Sequence, residues 1–345
     1  MTKPVVKYVV LFLCMLLVGS CRDVESDKTI VIKFSHVVAP NTPKGRGASL
    51  FKELVEKRLP GRVVVEVYPS SQLMGDDESL EALAFNDVQM TAVSLSKYNR
   101  FTTKFQIFDL PFLFDDQAAV KRFFKSPEGQ SLLNVLADKG FKGLGFWPNG
   151  MKQLGAPRPL KLPTDAAGLK FRIMESDVLE EQFLALKANP QKMAFREVYQ
   201  GLQTGTIDGQ ENTWSNIWSR KFFEVQPYIT ESNHGFIGYA WMVNTEFWDS
   251  LPPDVRAVLE TIVEDVNEQV NKMAYDLNQG AREKILEQGS SKILQLTPLE
   301  TKAWKKVMTP VWDQFAPVIG EDLIAAALRA NGEDKAPPEN PREGE

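Results

Sequence analysis

The chain has 345 residues, enough for roughly two domains at about 150 residues each, and its 43% apolar and 25% charged side chains suit a conventional globular core. Its 40 basic and 45 acidic side chains leave a formal charge of −5, which argues against a nucleic-acid surface, since that needs clustered positive charge.

At the N-terminus, Lys3 and Lys7 precede an apolar run from Tyr8 to Val18, followed by Gly19, Ser20 and Cys21. A basic start, a short apolar segment and small residues at its end predict a secretory signal peptide over residues 1–21. The run is too short to cross ~30 Å of hydrocarbon, and no comparable run follows, so a soluble periplasmic body is expected. Residues 18–21 also resemble a bacterial lipobox, in which Cys21 is lipidated and becomes the new N-terminus, giving an anchor to the membrane. The alternative is ordinary cleavage nearby, with Cys21 incidental. Cys14 and Cys21 are the only cysteines, so the mature domain is expected to hold no disulfide. Loss of Lys3 and Lys7 with the leader takes the formal charge from −5 to −7.

Residues 29–34 read as a strand, Pro43 opens a helix that runs to about 59, and Pro60-Gly61 breaks it before a second strand at 63–68. That order is a βαβ unit with a parallel strand pair. A helix over about 76–86 and a strand at 88–93 continue the α/β rhythm. Strands follow at 142–147 and 169–174. Between them, residues 156–164, with Pro157, Pro159 and Pro163, read as a crossing or hinge segment. Helices are predicted around 178–186 and 195–203, with a strand near 206–208. From Pro252 to about 288 the pattern is one long helix, opened by Pro252-Pro253 and closed by Gly289. Val255, Val258, Leu259, Ile262, Val266, Met273 and Leu277 recur along it at three- and four-residue steps. Its length of roughly 54 Å exceeds the width of one domain, so it must lean on two bodies or on a partner chain. Residues 332–345 are Pro- and Glu-rich and are expected to be a disordered tail.

The chemistry of most enzymes is missing. The only histidines are His36 and His234, and there is no His-Glu-x-x-His, Cys-x-x-Cys, Gly-x-Ser-x-Gly or phosphate-cradling glycine loop. The acidic pair Asp76-Asp77 falls at a helix start, where the dipole favours carboxylates. No catalytic residue, metal or cofactor is indicated.

The order of several segments resembles the solute-binding proteins of TRAP transporters, of the DctP type. These are residues 34–45 (FSHVVAPNTPKG), 69–73 (PSSQL), 168–173 (GLKFRI), 197–205 (EVYQGLQTG), 208–212 (DGQEN) and 231–235 (ESNHG). The resemblance implies an α/β clamshell of two lobes braced by the long helix, with the ligand between them. On that plan residues 29–149 with about 236–277 form the first lobe, and 150–235 with about 278–331 the second. It also implies a monomer that captures a small carboxylate, foremost a C4-dicarboxylate, by lobe closure and delivers it to membrane permease subunits, with no nucleotide. Rival readings are a ligand sensor that docks on a receptor, an oxo-acid, aromatic-acid or sugar-acid ligand, and a periplasmic enzyme acting on carboxylates.

By the same resemblance the carboxylate-pairing arginine falls on Arg172. Alone, its mid-strand position would read as a solvated strand arginine. A guanidinium offers a carboxylate a planar two-point fork that lysine cannot copy. Asn212 matches an asparagine that hydrogen-bonds the same ligand, Phe195 an aromatic wall, Lys152 a basic position near the ligand, and Ser176 a hydroxyl donor. Lys44 or His36 is expected to meet a second carboxylate, although Lys44 reads equally as a solvated first-turn lysine. Trp147 and Tyr239 are further candidates of types more common in core or rim. Thr213 and Arg196 depart from the family pattern, and the added charge of Arg196 would suit a bulkier or more anionic ligand than succinate.

Overall fold

A computed structural model describes residues 29–332. The predicted leader with Cys21, and the tail beyond residue 332, lie outside the described residues. Two mixed sheets organise the chain. The first holds β1 (Ile30–Ser35), β2 (Val63–Tyr68), β3 (Met90–Ser94), β4 (Phe141–Met151) and β10 (Phe236–Asn244) in the order β2-β1-β3-β10-β4. The second holds β5 (Gln153–Ala156), β6 (Lys170–Ile173), β7 (Asn189–Lys192), β8 (Gly209–Asn212), β9 (Tyr228–Glu231) and β11 (Lys292–Gln295) in the order β11-β9-β5-β8-β6-β7. β1 runs parallel to β2 and β3, while β10 is antiparallel to both β3 and β4.

The chain leaves the first sheet at Lys152, between β4 and β5, and returns between β9 and β10. The proline-rich stretch expected to cross between bodies instead folds over the second sheet. Leu160 is fully buried there, and its carbonyl accepts a hydrogen bond from Thr230 Oγ1 at 3.1 Å. Its prolines mark irregular backbone, which a loop packed on a sheet requires as much as a hinge does.

Helix α1 (Pro43–Arg58) begins as its sequence directs, with Pro43 in the first turn and Thr42 Oγ1 capping the Gly45 N–H. Gly45 is required by close approach, since a Cβ there would sit 2.2 Å from the Ala39 carbonyl oxygen. α2 (Asp76–Ala84) carries Asp76, Asp77 and Glu78 in its first turn. α3 (Asp177–Ala185) and α4 (Trp214–Ser219) belong to the second body.

The long helix α5 (Pro253–Gln288) is continuous over 36 residues, and Gly289 ends it with φ +68°. Among the described residues no helix is long and apolar enough to cross a membrane, α5 included. The N-terminal part of its apolar stripe packs with Phe34, Phe51 and Trp241 of the first body. Ala281 and Ile285 pack with Trp214, Ile217 and Phe222 of the second. Asn278 fastens α5 to both. Its Nδ2 donates to the Asn149 carbonyl of β4 at 2.6 Å, and its Oδ1 accepts from the Ser215 N–H of α4 at 3.0 Å. Asn278→Leu leaves both backbone groups buried and unpaired, so we expect a loss of about 1–3 kcal/mol in urea unfolding. An unchanged midpoint would show that the brace is held by apolar packing alone.

After β11 the chain was expected to stay with the second lobe to residue 331, and its end does not. Trp304 Nε1 still donates to Lys161 O, at 3.0 Å. Beyond it, Val311, Ile319 and Ile324 join the apolar cluster of Phe108 and Phe124 in the first body. Trp312 Nε1 donates to Pro111 O at 3.0 Å and Asn331 Nδ2 to Leu113 O at 2.8 Å. An amphipathic pattern tells which face of a helix is buried, not which body buries it.

Candidate binding cleft between the two bodies

Three of the groups at the interface stand at or near carboxyl ends of strands, where ligands of α/β sheets gather: Ser94 on β3, Arg172 on β6 and Asn212 on β8. They line one cleft with about 670 Å³ of empty space, its open mouth included. The first body adds Val37, Val38, Asp76, Lys97, Ile237 and Tyr239, and the second adds Met174, Phe195 and Asn216.

Arg172 is only 4% exposed, while Phe171 and Ile173 face the opposite side of β6 and are fully buried. Its Nε donates to the Met193 carbonyl at 2.9 Å, and its two terminal nitrogens have no hydrogen-bond partner among the described residues. Burial pulls the guanidinium down to about 10, against the nearby acids Glu211, Asp76, Asp77 and Glu197, so it is charged at neutral pH. The fork is therefore held by its stem and free at its tip.

Asn212 Oδ1 accepts from Asn216 Nδ2 at 2.8 Å and from the Thr213 N–H at 3.1 Å. These bonds fix the amide and leave its Nδ2 without a partner among the described residues. Phe195 forms part of the wall, edge-on to Phe222 at 6.0 Å and with the Arg220 guanidinium 5.2 Å from its ring. Tyr239 accepts a hydrogen bond from Asn149 Nδ2 at 2.8 Å, and burial raises its phenol.

Arg172, Asn212, Phe195 and Tyr239 thus meet in one cleft, and five other expected residues do not line it. Lys152 is engaged behind the site: its Nζ lies 2.7 Å from Glu211 Oε1 and 4.0 Å from Asp109 Oδ1, with all three side chains buried. Burial alone would raise Glu211, but the Lys152 charge and the His234 hydrogen bond hold it at about 2. Ser176 caps α3 and donates to Asp109 Oδ2 at 2.8 Å, so its hydroxyl is occupied. Trp147 is core, packed at a tilt against Phe34 and Trp241, with Nε1 donating to Asn267 Oδ1 at 2.8 Å. Lys44 is fully buried rather than solvated: its Nζ donates to Ala92 O at 2.8 Å and lies 3.9 Å from the Tyr239 ring centre. Burial lowers Lys44 to about 8, and burial together with the Lys44 charge lowers His36 to about 3.

Sequence reading missed Asp76, Ser94, Lys97 and Asn216 as cleft residues. Asp76 was legible only as a helix start, which it also is. Lys97 reaches both bodies, 2.6 Å from Asp77 and 3.4 Å from Glu175. Asn216 carried one signal, its place four residues after Asn212.

Residues 34–317 match the bacterial extracellular solute-binding protein family 7, DctP. The chain belongs to this family. A C4-dicarboxylate-binding periplasmic protein of the family from Shewanella loihica is 53% identical over 300 residues, 87% of this chain and 89% of that one. A C4-dicarboxylate-binding protein from Bacillus subtilis is 40% identical over 300 residues, 87% of this chain and 86% of that one. Among solved structures, a TRAP periplasmic solute-binding protein from Shewanella oneidensis with bound succinate is 52% identical. It superposes with a TM-score of 0.87 over 88% of this chain and 100% of that one. One from Pseudomonas aeruginosa with bound L-malate is 50% identical, with a TM-score of 0.81 over 83% of this chain and 99% of that one. The family is one of solute receptors, and the two-lobed α/β class expected from the sequence is the family's fold.

Proposed function

We propose that this chain captures a C4-dicarboxylate of the succinate or malate kind in the periplasm and hands it to the membrane permease subunits of a TRAP transporter. The observation that carries the reading is Arg172, a buried guanidinium whose terminal nitrogens face no protein acceptor. A carboxylate docked on that fork would form charge-assisted bonds in a site shielded from water. Asn212 would add an amide donor beside it, and Phe195 and Tyr239 would close over the carbon chain. Relatives named for C4-dicarboxylate binding, and neighbours that hold succinate and L-malate, support this ligand class.

Closure brings contacts from both bodies onto one guest, so the closed form must bind it more tightly than the open form does. Lys97 and Arg100 of the first body meet Glu175 of the second at 3.4 and 3.1 Å, partly exposed pairs that span the two bodies and would part if the cleft opened. The reading contains no chemical step. In a thermal-shift series, succinate, malate or fumarate at 100 times its dissociation constant should stabilise the protein by about 2.7 kcal/mol. A shift with larger sugar acids and none with any C4-dicarboxylate would overturn the ligand assignment.

A further inference from the structure

The cleft holds a carboxylate that the fold leaves incompletely bonded. Asp76 starts α2, a position that suits a carboxylate, yet its Oδ1 is buried without a hydrogen-bond partner among the described residues. Ser94 lines the same cleft, and its buried hydroxyl also has no partner among the described residues. A buried acceptor that finds no donor in the protein is satisfied by a donor on whatever fills the space.

The charges around Asp76 come from every side. Lys44 reaches it from α1, Lys97 from the segment after β3, Arg172 from β6, and Asp77 from its own helix. Glu78 also lines the cleft, Tyr239 faces it from β10, and His36 sits beside Lys44. In the empty cleft three cations favour ionised Asp76. A linear diacid docked on Arg172 would neutralise one of them, and its far carboxylate would share the cleft with Asp76, Asp77 and Glu78. Two carboxylates at one spot do not both stay ionised; a proton settles between them.

Resting on the dicarboxylate reading, we propose that the cleft binds its diacid together with one proton, shared between Asp76 and the far carboxyl group of the ligand. Above about pH 7 both carboxyls of a free small diacid are ionised, so the proton comes from solvent. Burial already raises Asp76 above its ordinary value, against the charges of Lys44, Lys97 and Arg172. A proton taken up on binding makes affinity fall as pH rises, by up to about tenfold per pH unit for one full proton.

The test is calorimetry of succinate binding to the full mature chain in phosphate and in Tris, whose ionisation enthalpies differ, at about pH 7 and 8. The expected result is uptake of roughly half to one proton per ligand, with affinity three- to tenfold weaker at the higher pH. In Asp76→Asn, uptake should vanish and affinity should no longer depend on pH. Asp76→Ser, a smaller side chain that leaves the Gly75 N-cap untouched, is the second variant should the first fail to fold. Heats that do not depend on buffer in the wild type overturn the proposal, and uptake that persists in both variants overturns its assignment to Asp76. Failure of every small diacid to bind would remove the dicarboxylate reading and this inference together, whereas binding without proton uptake removes the inference alone.

Discussion

Replacing Arg172 with lysine is expected to weaken dicarboxylate binding roughly 100-fold, about 2.7 kcal/mol, nearly as much as Arg172→Ala does. The reason is geometric. Arg172 Nε holds the Met193 carbonyl, and on the proposed reading its terminal nitrogens are left for the guest, so one planar group would be both anchored and aimed. A lysine ammonium has no separate anchoring nitrogen, cannot match both oxygens of a carboxylate in one plane, and loses its charge more readily when buried. Calorimetry on the two variants decides it. Near-normal affinity in the lysine protein would remove the guanidinium from the centre of the site.

Lys152→Ala should have its largest effect on stability. Lys152, Glu211 and Asp109 are buried together, and removing the cation leaves Glu211 beside Asp109 with no ammonium, only the His234 hydrogen bond on its other oxygen. Breaking a buried pair from one side costs about 3–5 kcal/mol, a fall on the order of 10 °C in melting temperature for a chain of this size. The pH dependence has a definite sign. With Lys152 present, Glu211 is held at about 2, below its ordinary value, so its stabilising contribution is complete above the ordinary carboxylate range. That contribution is lost as pH falls toward 2. In the variant, burial is unopposed by Lys152 and Glu211 protonates more easily, so the gap between the two proteins should narrow on acidification. Scanning calorimetry at neutral and acidic pH would reveal it. Equal melting temperatures at neutral pH, coupled to lost binding, would return Lys152 to the ligand.

Most of the architecture was written in local patterns. The β-branched runs of β1 and β2, the Thr42-Pro43 start of α1 and the apolar stripe of α5 each specify an element without help from the rest of the chain. Arg172 was singled out by the family resemblance alone; its own strand, with Phe171 and Ile173 on the other face, reads equally as presenting a solvated arginine. The site was illegible where burial decides. Lys44 and Lys152 have the composition of solvent-facing or ligand-facing cations, and only the packed structure shows that each already has its acceptor inside. Ser176 did carry a readable sign, since a serine before Asp177 and an apolar run is a helix cap. The residues after 310 failed for another reason: periodicity assigns a face, and the choice of neighbour is made by the whole chain.

The order of strands in the first sheet has a consequence for synthesis. β10 lies between β3 and β4, so the sheet cannot be completed until Asn244 has left the ribosome. Until then β3 and β4 each present a naked edge to the crowded surroundings, and such edges recruit other chains. Forms that stop short of β10 would therefore carry two unpaired strand edges, the feature that invites pairing with other chains.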